Sequence, residues 1–455
     1  MKHLNLLFLL LIFNSITALT QSINHNQILN DLIFAIKWFE VENYYQQNSD
    51  SIDDITTRWY LARTGSVFNH PVEALEAYEQ IIDNAPNINL EIVIPPLLQF
   101  CVNFQEYTKG EEFCRKLIAL LRNNDIIESE DKRQSYIQEL EQVIEIFEHY
   151  SKIFPKPTII KNEVKSTNGI NLIPNESNNG IFLNAMWNGI QLKTLFDTGA
   201  GASAFIWNRE IAEKIGIKLN TNDTLITNNG TLHVIIGIID SLELNEFSIK
   251  NIPAFVSIEN IDRSDSSQVI CDSIMHSMFD IILGMNIIKQ LGVINFDFVN
   301  NMMLFSQSTS PNEKRNLYIN ESLKTLFLNM EICDTNFLTF FDTGGTGIGL
   351  SISADFYEEN KECISLDGSA IQESSYIGSC NDANTPSRYK YSCPQIDVKI
   401  NDQIIKMIND CSVAKDKENN FKFDASGGGY LGSNFFKYCK KATFDFDNMV
   451  FSVEK

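Results

Sequence analysis

The chain reads Phe196-Asp197-Thr198-Gly199 and, 145 positions later, Phe341-Asp342-Thr343-Gly344. Each aspartate stands 16 positions after the start of an apolar run: Ile181-Phe182-Leu183-Asn184-Ala185-Met186 in one copy, Leu326-Phe327-Leu328-Asn329-Met330-Glu331 in the other. Farther along, Ile282-Leu283-Gly284-Met285-Asn286 matches Tyr430-Leu431-Gly432-Ser433-Asn434, with 87 and 90 residues between aspartate and glycine. Twelve residues beyond each glycine come Phe296-Asp297-Phe298 and Phe444-Asp445-Phe446. Two carboxylates from equivalent positions, facing each other, share one proton because like charges a few ångströms apart resist double ionisation. One then takes a proton from water while the other gives a proton to a carbonyl oxygen, with neither metal nor covalent intermediate. Threonine can anchor the opposite loop by a hydrogen bond. Glycine lets the backbone turn so that its N–H approaches the carboxylate.

The matched pairs divide the C-terminal part into two homologous halves, 158–308 and 313–455. Short β-rich runs, such as 180–187 and 242–256, alternate there with Asn, Gly and Asp turn signals, so this part is expected to be mainly β. Asp297 and Asp445 read as strand or turn residues. Residues 25–155 read as helical. Ile137, Leu140, Ile144, Phe147 and Tyr150 fall at helical spacing from Tyr136 to Phe154, and Pro155 ends the run. Trp59-Tyr60-Leu61, Ala74-Leu75-Glu76-Ala77-Tyr78 and Ala85-Pro86 weakly resemble a tetratricopeptide repeat, with an irregular helical bundle as the alternative.

Composition narrows the partners. The 455 residues carry a formal charge of −22 and a pI near 4.7, which argues against nucleic acid and anionic membrane surfaces. Lys2, the apolar run Leu6 to Phe13 and the small or polar residues through Ser22 have the layout of a signal peptide, residues 1–20. A secreted or periplasmic location follows, and no later run is uninterrupted enough to be a transmembrane segment.

Six of the nine cysteines (Cys333, Cys363, Cys380, Cys393, Cys411 and Cys439) fall in the last third and suit a disulfide framework of undetermined connectivity. Cys101 and Cys114 are a candidate pair, leaving Cys271 as a free or buried thiol. No metal is expected, because C-x-x-C is missing and the six histidines are scattered. Gly427, Gly429 and Gly432 satisfy G-x-G-x-x-G without the strand–turn–helix context of a dinucleotide site, and no cofactor is expected. Asn175, Asn222, Asn229 and Asn320 lie in glycosylation sequons.

The Phe-Asp-Thr-Gly-Ala and Phe-Asp-Thr-Gly-Gly runs resemble the active-site loops of aspartic proteases. The paired apolar-apolar-Gly runs resemble the second signature of the retropepsin-like branch. The resemblance spans about 290 residues and none of the helical region. It implies two retropepsin-like lobes in tandem within one chain, after an all-α domain, forming a monomeric protease unit. Asp197 and Asp342 would be the catalytic pair hydrolysing polypeptide substrates. Thr198 and Thr343 would grip across the lobes, Gly199 and Gly344 would shape the loops, and Gly284 and Gly432 would lie in strands packed behind them. Hairpins within 222–240 and 374–392 are the flap candidates.

Pepsin-like enzymes usually place a hydroxyl residue after Asp-Thr-Gly. Ala200 and Gly345 stand there instead, so a mildly acidic to neutral optimum is expected. The helical region would dock a protein partner or serve structurally, and its lack of a basic cluster disfavours a propeptide. The competing reading is an inactive peptide- or protein-binding scaffold of the same fold.

Overall fold

The computed structural model describes residues 24–83, 90–123, 129–161, 169–174, 180–227, 232–258, 262–306, 314–368, 370–373, 388–420 and 428–455. Residues 1–20, expected to form a signal peptide, the tips of both flap candidates and Cys380 lie outside them. Two compositionally different parts result: an all-helical N-terminal region, and strand-rich barrel-like sheets after Pro157.

The helical region comprises His25–Phe34, Trp38–Asn48, Asp54–Val67, Pro71–Asp83, Leu90–Asn103, Tyr107–Asn123 and Glu130–Ile153. Local signals set the ends. Asp53 accepts from the Thr56 N–H at 2.7 Å, and Ser129 accepts from that of Lys132. The Ser129 cap starts the last helix six residues before Tyr136, where the apolar spacing begins. Short turns fold Pro71–Asp83 back on Asp54–Val67, and a Cβ on Gly65 would stand 3.0 Å from Ala74 Cβ.

In each β half a two-residue hairpin leads into the strand that ends at the aspartate. Asn188-Gly189 joins Phe182–Trp187 to Ile190–Asp197 with φ of +47° and +76°. Cys333-Asp334 joins Thr325–Ile332 to Thr335–Phe341 with φ of +56° and +57°. Two successive positive φ values match the twist of the flanking strands.

From there both halves follow one order. In the first, Phe182–Trp187, Ile190–Asp197, Ile281–Gly284, Ala204–Ile206, Phe247–Ser257 and Leu232–Leu244 are neighbours in turn, and the last pairs back with the first. In the second, the order is Thr325–Ile332, Thr335–Phe341, Gly429–Leu431, Leu350–Ile352, Gln403–Ala414 and Arg388–Ile400, closing likewise. The apolar run 242–256 is crossed by a turn at Asn245-Glu246, where Asn245 takes φ +49°, so it forms parts of two strands.

A five-stranded sheet ties the halves together, with Val293–Asp297 paired antiparallel to Lys441–Asp445 at its centre. Its buried face carries Phe296 and Phe444, packed edge to face at 5.9 Å. The phenylalanines before the two aspartates join them: Phe196 lies 5.1 Å from Phe296 and Phe341 5.5 Å from Phe444. Each such buried ring contributes about 1.5–3 kcal/mol. Asp297 and Asp445 accept backbone N–H bonds from the turns that follow them, at Asn300, Asp447 and Asn448.

The helical region is fastened to both halves. Arg63 pairs with Glu321 at 2.7 Å, and Ser66 donates to the same carboxylate at 2.8 Å. The Gln99 and Asn103 amides donate to the Glu321 carbonyl. The Asn69 amide donates to the carbonyls of Lys289 and Phe446, and Phe154 meets Phe255 at 5.8 Å.

Lys289 is buried at this joint, donating to the Asn103 carbonyl at 2.8 Å and lying 4.0 Å over the Phe104 ring. Burial pushes its ammonium down to about 7, and Lys324 and Lys156 add repulsion. In the unfolded chain the same group stays charged up to its ordinary 10.5. The native state therefore binds fewer protons between those values, and stability rises with pH there by up to about 1.4 kcal/mol per unit. Lys289→Met is expected to raise the denaturation midpoint at pH 7 and to gain progressively less as pH increases. A gain independent of pH in urea titrations would refute this.

The cysteines depart from the expected arrangement. Cys333 is bonded to Cys363, tying the second hairpin turn to the chain just after helix Ala354–Asn360. Cys271, read as an unpaired thiol, is disulfide-bonded. Cys101 and Cys114, read as a pair, are separate buried thiols on neighbouring helices, where they pack as small apolar side chains. Cys393, Cys411 and Cys439 are also free and buried. Asn320, one of the sequons, is buried and accepts from the N–H groups of Ser322 and Leu323, so its amide serves the turn. Among the described residues, no helix is long and apolar enough to cross a membrane, and no group of three or more His, Cys, Asp or Glu is placed to hold a metal.

Candidate active site

Asp197 ends the strand Ile190–Asp197, and Asp342 follows directly on Thr335–Phe341. Behind each runs a parallel neighbour ending at the second-signature glycine: Asp197 is in register with Gly284, and Phe341 with Leu431 beside Gly432. A Cβ on Gly284 would lie 2.4 Å from the Ala202 carbonyl, and one on Gly432 would lie 2.5 Å from that of Ile348. Only glycine lets these strands approach the loops so closely.

The loops interlock about a local two-fold. Thr198 Oγ1 donates to the Phe341 carbonyl at 2.7 Å and accepts from the Thr343 N–H at 3.0 Å. Thr343 Oγ1 donates to the Phe196 carbonyl at 2.7 Å and accepts from the Thr198 N–H at 3.0 Å. Both threonines are fully buried. Each hydroxyl thus satisfies a backbone donor and a backbone acceptor of the opposite half, which fixes both spacing and orientation.

This interlock brings the carboxyls together. A Cβ on Gly199 would stand 2.5 Å from Asp342 Cγ, and one on Gly344 would stand 2.3 Å from Asp197 Cγ. Each carboxyl therefore occupies the space that a side chain on the opposite glycine would need. Asp197 Oδ1 accepts from the N–H groups of Gly199 and Ala200 at 2.8 and 3.1 Å. Asp342 Oδ1 accepts from the Gly344 N–H at 2.8 Å.

Both carboxyls are walled in by protein while facing solvent on one side. Burial raises both above the ordinary range. For Asp197 the Asp342 charge and the hydrogen bond between the carboxyls raise it further; for Asp342 hydrogen bonds from neighbours pull it back. Two carboxyls this close resist ionising together, so the first proton to leave the pair comes off more easily than the second.

One of those neighbours escaped the sequence reading. The Tyr430 hydroxyl donates to Asp342 Oδ2 at 2.6 Å. In the sequence Tyr430 stands only as the first residue of the apolar Tyr-Leu-Gly run, and Gly345, which follows the loop, offers Asp342 no hydroxyl. The absence of a Cβ at Gly345 is what admits the phenol: a Cβ there would lie 1.9 Å from the Tyr430 oxygen. The signal was present as a double exchange between the copies, Ala200 with Ile282 against Gly345 with Tyr430.

No curated protein matches the chain. Residues 183–287, which carry Asp197, Thr198, Gly199 and Gly284, match the family described as aspartyl protease.

Proposed function

We propose that the protein is an exported aspartic endopeptidase that hydrolyses polypeptides with a dyad formed by Asp197 and Asp342 of one chain. The observation that carries the proposal is the interlocked pair of loops, in which two carboxyls meet across a pair of glycines. The halves 158–308 and 313–455 are its two retropepsin-like lobes, supported by their common strand order. Water bound between the carboxyls gives a proton to one as its oxygen attacks the scissile carbonyl carbon, and the other protonates the carbonyl oxygen. Thr198, Thr343, Gly199 and Gly344 hold the two groups within reach of one water. The helical region of 25–155 serves as a structural brace, supported by its buried ties to both lobes. Export to a secreted or periplasmic location is supported by the Lys2 and Leu6–Phe13 layout and by the disulfides.

The test is digestion of a mixed peptide library from about pH 3 to about pH 8, with and without a peptide carrying a tetrahedral hydroxyl carbon in place of the scissile carbonyl. Internal cleavage suppressed by that mimic is expected, because a dyad built for the tetrahedral state binds it more tightly than substrate. Folded protein that binds peptides and cuts none would establish the scaffold reading instead.

A further inference from the structure

The two halves of the dyad are not chemically equivalent. Asp197 and Asp342 sit at matching places on matching strands, and the threonine bonds between the loops are symmetric, at 2.7 and 3.0 Å on each side. The difference lies one strand behind. In register with Leu195 stands Ile282, which has no hydrogen to donate. In register with Phe340 stands Tyr430, whose ring is buried and whose hydroxyl points at Asp342 Oδ2.

We propose that Tyr430 is a positioning residue that commits Asp342 to the role of base and Asp197 to the role of acid. The inference takes its direction of proton transfer from the proteolytic reading above, while the asymmetry itself stands on geometry alone. A phenol donor favours the carboxylate that accepts from it, and hydrogen bonds to an ionised acceptor are roughly twice as strong as neutral ones. Besides burial, the strongest influences on these carboxyls are each other, the Tyr430 hydroxyl and the N–H groups of Gly199, Ala200, Gly344 and Gly345. Backbone donors reach Oδ1 on both sides, two on Asp197 and one on Asp342, whereas the Tyr430 hydroxyl reaches Oδ2 of Asp342.

The proton balance then runs in one direction. Asp342 starts ionised and Asp197 protonated. As the water oxygen bonds to the carbonyl carbon, the water proton passes to Asp342 and the Asp197 proton passes to the carbonyl oxygen. The resulting diol is neutral, with the single dyad proton now on Asp342. On collapse the carbon–nitrogen bond breaks, the departing amine takes that proton, and a diol hydroxyl returns one to Asp197. The starting state is restored without any further reactant.

Gly345 is the second component of the device. The 1.9 Å approach means that Gly345→Ala must displace the phenol while leaving the tyrosine in the chain. Two unrelated substitutions thus remove one hydrogen bond, and their agreement separates its loss from general damage to the fold.

The experiment uses the full chain with aspartate carboxyls labelled with carbon-13. The dyad resonances are assigned by their loss in Asp197→Asn and Asp342→Asn, then followed against pH in wild type, Tyr430→Phe, Gly345→Ala and the double variant. The pH dependence of kcat/KM is measured alongside. Tyr430→Phe is expected to move the lower dyad titration, and with it the acidic limb of the rate profile, upward by about one pH unit. Gly345→Ala is expected to do the same, and the double variant to move no further than either. Native thermal unfolding transitions show that the variants remain folded.

A lower step that stays in place in both folded variants overturns the proposal. So does a shift confined to the upper step, which would put the tyrosine's influence on Asp197. Wild type that shows the titration pattern but cuts no peptide refutes the protease reading and leaves Tyr430's effect on Asp342 established. Hydrolysis that needs both aspartates but ignores Tyr430 does the reverse.

Discussion

Asp197→Asn and Asp342→Asn are each expected to lower kcat by about 10²–10⁴-fold, with the double variant little worse than either single one. An amide keeps the shape of the carboxyl but can neither carry the shared proton nor take one from water. Because the two groups act as a unit, the losses should not multiply.

The same variants are expected to keep or gain stability at neutral pH. Burial holds both carboxyls above their ordinary range, so the unfolded chain gives up protons that the native state retains. Their contribution to stability is complete below the unfolded carboxylate range and is lost as pH rises through the native values. Asparagine removes that dependence. Thermal unfolding at pH 4 and pH 7, together with turnover of a cleavable peptide, checks both halves of the expectation. Activity surviving in Asp342→Asn alone would mean that first halves from two chains had paired, contrary to the single-chain dyad.

Glu321→Ala is expected to destabilise the protein by about 3–5 kcal/mol, the cost of leaving one charge of a buried ion pair uncompensated. Arg63 would be left in the interior, and the Ser66 hydroxyl would lose its acceptor. The damage should also reach the active site. The turn carrying Glu321 continues to Leu323, whose carbonyl lies 2.7 Å from where a Cβ on Gly201 would stand, two residues beyond Gly199. A fall in kcat at temperatures where the variant is still folded is therefore expected. Glu321→Gln, which keeps an acceptor for Ser66, should cost less. A Glu321→Ala chain that unfolds within about 1 kcal/mol of wild type would mean that the helices are loosely hung rather than built in.

The site was legible in the sequence wherever it depends on repetition. Two Asp-Thr-Gly runs, each with a preceding phenylalanine and an apolar-Gly run at nearly the same distance, identify the loops and the strands behind them. The helix-to-strand change at Pro155-Lys156-Pro157 was legible because the apolar period changes there. Tyr430 was not, since its contact with Asp342 spans 88 residues and needs the parallel pairing of Gly429–Leu431 with Thr339–Phe341. The chain beyond Gly344 offers Asp342 no hydroxyl at Gly345, and the donor comes from the neighbouring strand. The joint between helices and barrels left no trace either. Arg63 and Glu321 are single charges 258 positions apart, and nothing periodic marks them. Cysteine pairing failed for a similar reason: buried thiols such as Cys101 and Cys114 satisfy packing without bonding, and spacing alone does not separate the two outcomes.

The fit between Gly345 and Tyr430 also constrains history. With glycine at 345, position 430 is free to carry a small or a large side chain. With tyrosine at 430, a Cβ at 345 would fall 1.9 Å from the phenol oxygen and has to push the ring aside. An exchange that places glycine at 345 before tyrosine at 430 therefore passes through no crowded intermediate, whereas the reverse order does.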